Sequence, residues 1–330
     1  MSPRDPGILL VVGASGLIGR NTAKFLHRSG VQVRGVSRGF GEYRTASAMV
    51  ADLAGIELMF GDIANSLFAE QALRDVTRIV FAAGVSGVAA SLTDPSASRH
   101  GTLDPWSVVV EHCMPSTRIV MMSSQLVYGP AHGRLFTETD SLAPASPYAS
   151  NLALMEQAGR QRAESRDLEV ISMRLGNVFG DVLWIDKPRS HGMVALMLRD
   201  LVRRHEIRLF GGGDQTVNLL HVDDLARAIS LGLQRESTHP FLAFNVSGTQ
   251  MSVRSVAESL CTGVGHGSCV SVPWPAALEG TVGNDIELDD SRFRDSFGWR
   301  PLHNAANELE RIGRQYVSAN VEPNPSIKET

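Results

Sequence analysis

Residues 8–30 read ILLVVGASGLIGRNTAKFLHRSG, and this stretch decides the fold. ILLVVGAS (8–15) is an apolar run of strand length and predicts a buried strand. GRNTAKFLHRSG (19–30) predicts a helix ended by Gly30. Gly13, Gly16 and Gly19 stand directly between the two. With a strand before it and a helix after it, this spacing forms a cradle for phosphate. Gly13 permits the tight turn, Gly16 lets the backbone approach a pyrophosphate, and Gly19 lets the helix pack on the sheet. The helix N-terminus attracts the anion. Ser15, Leu17 and Ile18 join the three glycines as candidate dinucleotide contacts.

The same rhythm continues outward. VQVRGVSR (31–38), IELMFGDI (56–63), TRIVFAAG (77–84) and RIVMMSS (118–124) read as further strands, each followed by a polar or helical stretch. Near-continuous apolar strands alternating with helices predict an α/β protein with a Rossmann-type, doubly wound parallel sheet. A helix is expected over 97–113, interrupted and irregular at Asp104-Pro105. A long helix covers 147–166, and LEVISMRLGNVFG (168–180) supplies a sixth strand and its turn. After that the rhythm changes. Residues 181–191 read as a loop, followed by a helix (192–205), a strand, the Gly-rich turn GGGDQT, a strand and helix in VNLLHVDDLARAISLGLQ, the strand FLAFNVSG, and a helix from Ser252. The expected division is a dinucleotide-binding domain over 1–176, rejoined by 214–235, a smaller α+β substrate-binding region over 177–316, and a disordered polar tail over 317–330.

Of 330 residues, 43% are hydrophobic and 20% charged, with a net charge of −4, so nothing marks a nucleic-acid or membrane surface. No apolar run reaches the length of a membrane span, and the polar lead into the first strand reads as lacking a signal peptide. Cys113, Cys261 and Cys269 are spaced as neither a disulfide framework nor a metal site, which makes a reducing cytoplasm the expected compartment. The ten histidines show no metal-ligand spacing, so no metal is expected. The only lysines are Lys24, Lys187 and Lys328. Chemistry that needs a compact ammonium therefore has few candidates, and an arginine fork is no substitute.

Cofactor type is read at the end of the second strand. A carboxylate there would bind a ribose 2′-hydroxyl and select NAD, whereas an arginine accommodates a 2′-phosphate. The strand ends in Ser37-Arg38 with no carboxylate, which favours NADP(H) and leaves NAD(H) open. Asp62 and Ile63 end the third strand where an adenine would lie; Asp62 is either an adenine contact or a cap for the following helix. Ala82, Ala83 and Gly84 carry no bulk that would keep the next loop from the cofactor.

In order along the chain stand GASGLIG, GDI, FAAG, SSQLVYG, SPYASN, RLGNVFG, GGGDQT, LLHVDDLARAI and FGWRP. Together, from about residue 8 to Pro301, they resemble the extended short-chain dehydrogenases/reductases, which include sugar-nucleotide epimerases, dehydratases and ketoreductases. The resemblance implies a nicotinamide cofactor and a proton machinery of a serine or threonine, a tyrosine, and a lysine four residues later. Ser124 matches the first and Tyr148 the second, which also makes Tyr148 a candidate cofactor contact. Leu152 stands at the lysine position. Without an ammonium to favour phenolate, Tyr148 is expected to titrate near or above its reference value of about 10.

A neutral phenol still donates a proton to a ketone, but it is a poor base for oxidising an alcohol. The expectation is thus reduction rather than reversible redox. Gln125 stands where the family's dehydratases carry an acid, which speaks against dehydration. Val217 and Val282 occupy positions where sugar-nucleotide enzymes of the family often carry diphosphate-gripping arginines, and losing those charge-assisted contacts weakens the case for a nucleotide-sugar substrate. Ser124, Gln125, Asn177 and the loop lysine Lys187 are the substrate-side candidates. His221 and Asp223-Asp224 match a hallmark that is mainly structural, with Asp223 a candidate helix cap. The nearest overall likeness is to 4-keto-6-deoxysugar reductases of antibiotic pathways. The function expected is an NADP(H)-dependent ketoreductase for a keto-deoxysugar, nucleotide-activated or already attached, or for another secondary-metabolite ketone, working as a homodimer built on the Tyr148 helix and its preceding neighbour, with Leu152, Leu154 and Met155 as contacts. An epimerase with tightly held NAD(P), and a non-redox NADP-binding member of the fold, remain alternatives.

Overall fold

The computed structural model describes residues 7–41, 43–85, 87–131, 133–181, 192–234, 239–276 and 285–320. The first half runs β1 (Ile8–Val12), α1 (Leu17–Arg28), β2 (Val33–Ser37), α2 (Ala46–Asp52), β3 (Glu57–Phe60), α3 (Ser66–Ala72), β4 (Val76–Phe81), α4 (Val88–Thr93), α5 (Pro95–His112), β5 (Arg118–Ser124), β6 (Leu135–Phe136) and α6 (Pro147–Arg166). The second half runs β7 (Glu169–Leu175), β8 (Asn177–Phe179), α7 (Met193–Arg204), β9 (Glu206–Phe210), β10 (Thr216–His221), α8 (Val222–Gln234), β11 (Phe241–Val246), β12 (Thr249–Ser252), α9 (Val253–Val264), β13 (Ser268–Val272), β14 (Glu287–Leu288), α10 (Ser291–Phe297) and α11 (Ala305–Asn320).

Seven strands form one parallel sheet in the order β11-β7-β5-β4-β1-β2-β3. Burial on both faces explains the unbroken apolar runs: Leu9, Leu10, Val11 and Val12 are almost wholly enclosed. One apolar layer gathers Ala69, Trp106, Val109, Leu152 and Met155 from α3, α5 and α6, and the other gathers Ala23, Met49, Leu225 and Phe293 from α1, α2, α8 and α10. The strand order reverses between β1 and β4, and the crevice at such a reversal, outside the carboxyl ends of the strands, is where open α/β sheets bind ligands. The glycine turn, Ala82-Ala83-Gly84 and Ser124 all lie at that end of their strands.

Three expectations need correction. The expected interruption is absent: Pro95–His112 is one unbroken helix, with Pro105 inside α5. Proline removes one hydrogen bond and crowds the carbonyl four residues back; here the buried stripe of Ser98, Thr102, Pro105, Trp106, Val109 and Val110 packs the helix onto the core and offsets that cost. The strand 241–246, placed by sequence in the substrate region, instead forms the sheet edge beside β7 as β11. Its run FLAFNV carries no mark of which sheet it joins. Finally, α11 continues to Asn320 rather than giving way to a tail at 317.

The smaller region has its own apolar cluster, in which Leu198, Leu201, Leu209, Leu219, Val256, Leu260 and Leu309 meet. Its sheet β12-β10-β8 joins the larger body, because β8 follows β7 after Gly176 alone. α8 turns back onto the main sheet, with Leu225, Ala228 and Ile229 in the same layer as Ala23 and Leu26 of α1. Among the described residues no helix is long and apolar enough to cross a membrane.

Candidate active site

Ser124 ends β5 and Tyr148 opens α6, and the Ser124 hydroxyl lies near enough to the Tyr148 phenol to lower its pKa. The local sequence builds this meeting from both sides. Ser124 Oγ also accepts from Leu126 N at 3.2 Å, which starts the tight turn after the strand. Ser146 caps α6 by accepting from Ala149 N at 3.3 Å, with Pro147 as the first helical residue, where its missing N–H costs nothing. The Tyr148 N–H donates to Ser91 Oγ of α4 at 3.1 Å. Burial pushes the Tyr148 phenol up to about 12, and the nearby Ser124 hydroxyl opposes that only in part. No charged group among the described residues acts on it. Leu152 follows one turn along the helix, 6% exposed, in the same apolar cluster as Val127, Tyr128 and Met155.

One further turn brings Glu156, which the sequence reading overlooked. It pairs with Arg174 of β7 (Nη2–Oε2 2.7 Å), and each side chain is 5% exposed. Ser123 Oγ donates to Glu156 Oε1 at 2.6 Å, and Arg174 Nη1 donates to the Tyr128 hydroxyl at 2.9 Å. Tyr128 in turn donates to Asn245 Oδ1 at 2.7 Å and stacks on Phe136. Tyr128 is therefore a member of a closed structural network. The signal for it was a carboxylate on the buried stripe of a helix, which has to find a partner.

The substrate-side candidates divide. Gln125 lies beside Ser124, buried, with its Oε1 accepting from Asn218 of β10. Asn177 is half-buried at the start of β8, one strand from Leu219. Lys187 and Val282 lie outside the described residues. Val217 packs into the smaller region's apolar cluster. The helix-cap role considered for Asp223 falls elsewhere: His221 Nδ1 accepts from Asp223 N at 3.3 Å, while fully buried Asp224 accepts the N–H groups of Leu302 and His303, each at 3.0 Å. The cap considered for Asp62 belongs to Asn65, which accepts from Phe68 N; Asp62 Oδ1 accepts from Ala64 N in the turn before it. Tertiary structure also gathers His221, Asp223 and His303, residues with no spacing to suggest it. The two rings stack at 4.1 Å with 21° between planes, so their lone pairs lie in nearly parallel planes that do not meet at one point between the rings, and we assign no metal site there.

Residues 9–247 match the NAD dependent epimerase/dehydratase family. The chain belongs to that family. This epimerase/dehydratase family member is an NAD(P)-dependent enzyme of the extended short-chain dehydrogenase/reductase type. A dTDP-glucose 4,6-dehydratase from Streptomyces antibioticus is 24% identical to it, covering 92% of this chain and 90% of its own. A dTDP-4-dehydro-6-deoxy-D-allose reductase from Streptomyces bikiniensis is 26% identical, covering 94% and 97%. The solved structure of a dTDP-glucose 4,6-dehydratase from Streptomyces venezuelae with NAD and TYD bound superposes with a TM-score of 0.84 at 22% identity, over 96% of this chain and 99% of that one.

The residues of this family member fit a nicotinamide dinucleotide. Gly13 has φ +93°, and a Cβ on it would sit 2.7 Å from Ala82 O. A Cβ on Gly19 would run into the Gly13 carbonyl. No side chain caps the Gly16 end of α1, so the amides of Leu17 and Ile18 are open to an anion. The Ser15 hydroxyl is committed to Ser37 Oγ at 2.6 Å, which ties the glycine turn to the end of β2. Arg38 and Asp62 are exposed at the rim, Ile63 is buried, Ala82 and Ala83 are half-buried, and Gly84 is exposed.

Proposed function

We propose that this protein is a cytoplasmic NADP(H)-dependent ketoreductase acting on a keto-deoxysugar. The observation that carries the reading is the Ser124 hydroxyl acting on the Tyr148 phenol beside the apolar Leu152. The cofactor, when bound, supplies the hydride. Ser124 orients the carbonyl oxygen, and Tyr148 delivers the proton to the oxygen that becomes the alcohol. A phenol held neutral is matched to that step and mismatched to the reverse one, where a base is required. Gln125, an amide, neither gives nor takes a proton and so cannot serve the elimination step of a dehydratase. The test is turnover of a dTDP-linked 4-keto-6-deoxyhexose with NADPH, followed at the cofactor's absorbance and by mass of the alcohol formed. Tightly held, non-exchanging NAD(P) with interconversion of two epimers would replace this reading by an epimerase. Absence of cofactor consumption across a panel of ketones would leave a non-redox protein.

NADP(H) preference rests on Ser37-Arg38. Arg38→Ala is expected to weaken NADP(H) binding selectively by about 1–3 kcal/mol, the worth of a charge-assisted contact. Titration of both cofactors against the two proteins checks this, and equal affinity of the unmodified chain for NAD(H) and NADP(H) ends the idea.

We also propose a homodimer through the outer face of α5 and α6. Of the three contacts expected on α6, Leu152 and Met155 are turned into the chain's own core and only Leu154, 37% exposed, is available. Light scattering should give twice the 35.6 kDa chain mass, and Leu154→Asp should halve it. A single-chain mass for the unmodified protein at micromolar concentration would count against the dimer.

A further inference from the structure

Gln125 and Asn218 form a polar contact that the proposed proton transfer does not use. Asn218 Nδ2 donates to Gln125 Oε1 at 3.1 Å and to the Ile286 carbonyl at 2.7 Å, so both of its N–H groups are spent. The two side chains are 5% and 7% exposed. Asn218 is wedged over Gly176, where any Cβ would lie 2.9 Å from the Asn218 Cβ. The pair spans the two regions of the molecule, since Gln125 follows Ser124 at the end of β5 while Asn218 lies on β10. With its oxygen tied to Asn218, the Gln125 amide cannot turn over without setting N–H against N–H. Its Nε2 makes no hydrogen bond among the described residues, and it is not one of the polar atoms sealed from solvent without a partner. A fixed amide with its donor end open, one residue from Ser124, is suited to hold an oxygen of the bound molecule.

We infer that Gln125 is a specificity-determining donor for a hydroxyl on the carbon beside the reacting carbonyl, and that Asn218 is the positioning residue that aims it. The inference rests on the ketoreductase reading for the identity of that carbonyl. It narrows the substrate class to ketones with a free neighbouring hydroxyl. A 3-deoxy ring leaves the donor without an acceptor. An ammonium substituent at the same place would set donor against donor.

The experiment is calorimetric binding to the full chain loaded with NADP⁺. The probes are a dTDP-linked 6-deoxyhexose carrying its 3-hydroxyl and the same compound lacking it. The unmodified chain should prefer the hydroxylated probe by about 10- to 100-fold, the effect of leaving a desolvated donor unmatched. Gln125→Met, which removes the donor without adding charge, should lose that preference by weakening the hydroxylated probe alone. Asn218→Leu should lose part of it while Gln125 is still present. Equal weakening of both probes, no weakening of either, or no binding of either by the unmodified chain overturns the inference. An Asn218→Leu variant that melts earlier yet keeps full discrimination removes Asn218 from it. Failure of the ketoreductase reading is seen separately, as absent NADPH consumption with the corresponding ketone while discrimination between the probes persists.

Discussion

Tyr148→Phe is expected to slow ketone reduction by about 10²–10⁴-fold while leaving cofactor affinity nearly unchanged, the usual range for losing a positioned acid. The ring stays, so the packing around α4 and α6 stays, and only the hydroxyl that meets Ser124 is lost. With its pKa pushed up to about 12, the phenol remains protonated throughout neutral and mildly alkaline solution, so the reduction rate of the unmodified chain should show no tyrosine titration there. The linkage has a definite sign. A folded pKa raised above the unfolded value of about 10 gives stability that is fully present below that pH and is lost as pH climbs through the folded value. Leu152→Lys sharpens the test. An ammonium four residues along the helix favours phenolate, so alcohol oxidation near neutral pH should rise more than ketone reduction does. Initial rates in both directions, for both variants, decide the matter. Full activity of Tyr148→Phe would mean that the proton comes from elsewhere.

Glu156→Ala is expected to destabilise the fold by about 3–5 kcal/mol, because it strands the Arg174 guanidinium in the core. Arg174 Nε and Nη2 both reach the Glu156 carboxylate, and Ser123 would lose its acceptor as well. Replacing both partners with apolar residues, Glu156→Leu with Arg174→Met, should recover most of the loss, since nothing charged is then left unpaired. Urea denaturation of the single and double variants measures this. A loss below about 1 kcal/mol in the single variant would show that water reaches the pair and that it is not a core element.

Features set by neighbours in the chain were legible in the sequence; those set by partners brought together in space were not. The glycine turn between an apolar strand and an amphipathic helix specified the nucleotide-binding end of the sheet, because backbone conformation at Gly13 and close approach at Gly19 depend on residues within one turn. The Ser146-Pro147 start of the Tyr148 helix was readable for the same reason, capping being local. Leu152 was legible as a missing charge, since positions four apart share a helix face. Other features were decided only by the tertiary structure. Pro105 is held within α5 by the packing of its buried stripe, against the local preference of the chain. β11 pairs with β7 although nothing in FLAFNV names its neighbour. Glu156 meets Arg174, and Asn218 meets Gln125 across 93 positions. Spacing and periodicity report interactions within a few residues, whereas the partner of a buried polar group is set by which strands and helices are brought together. The Ser124–Tyr148 pair belongs to both classes: each residue was visible in its motif, but their contact exists only because β5 and α6 pack side by side.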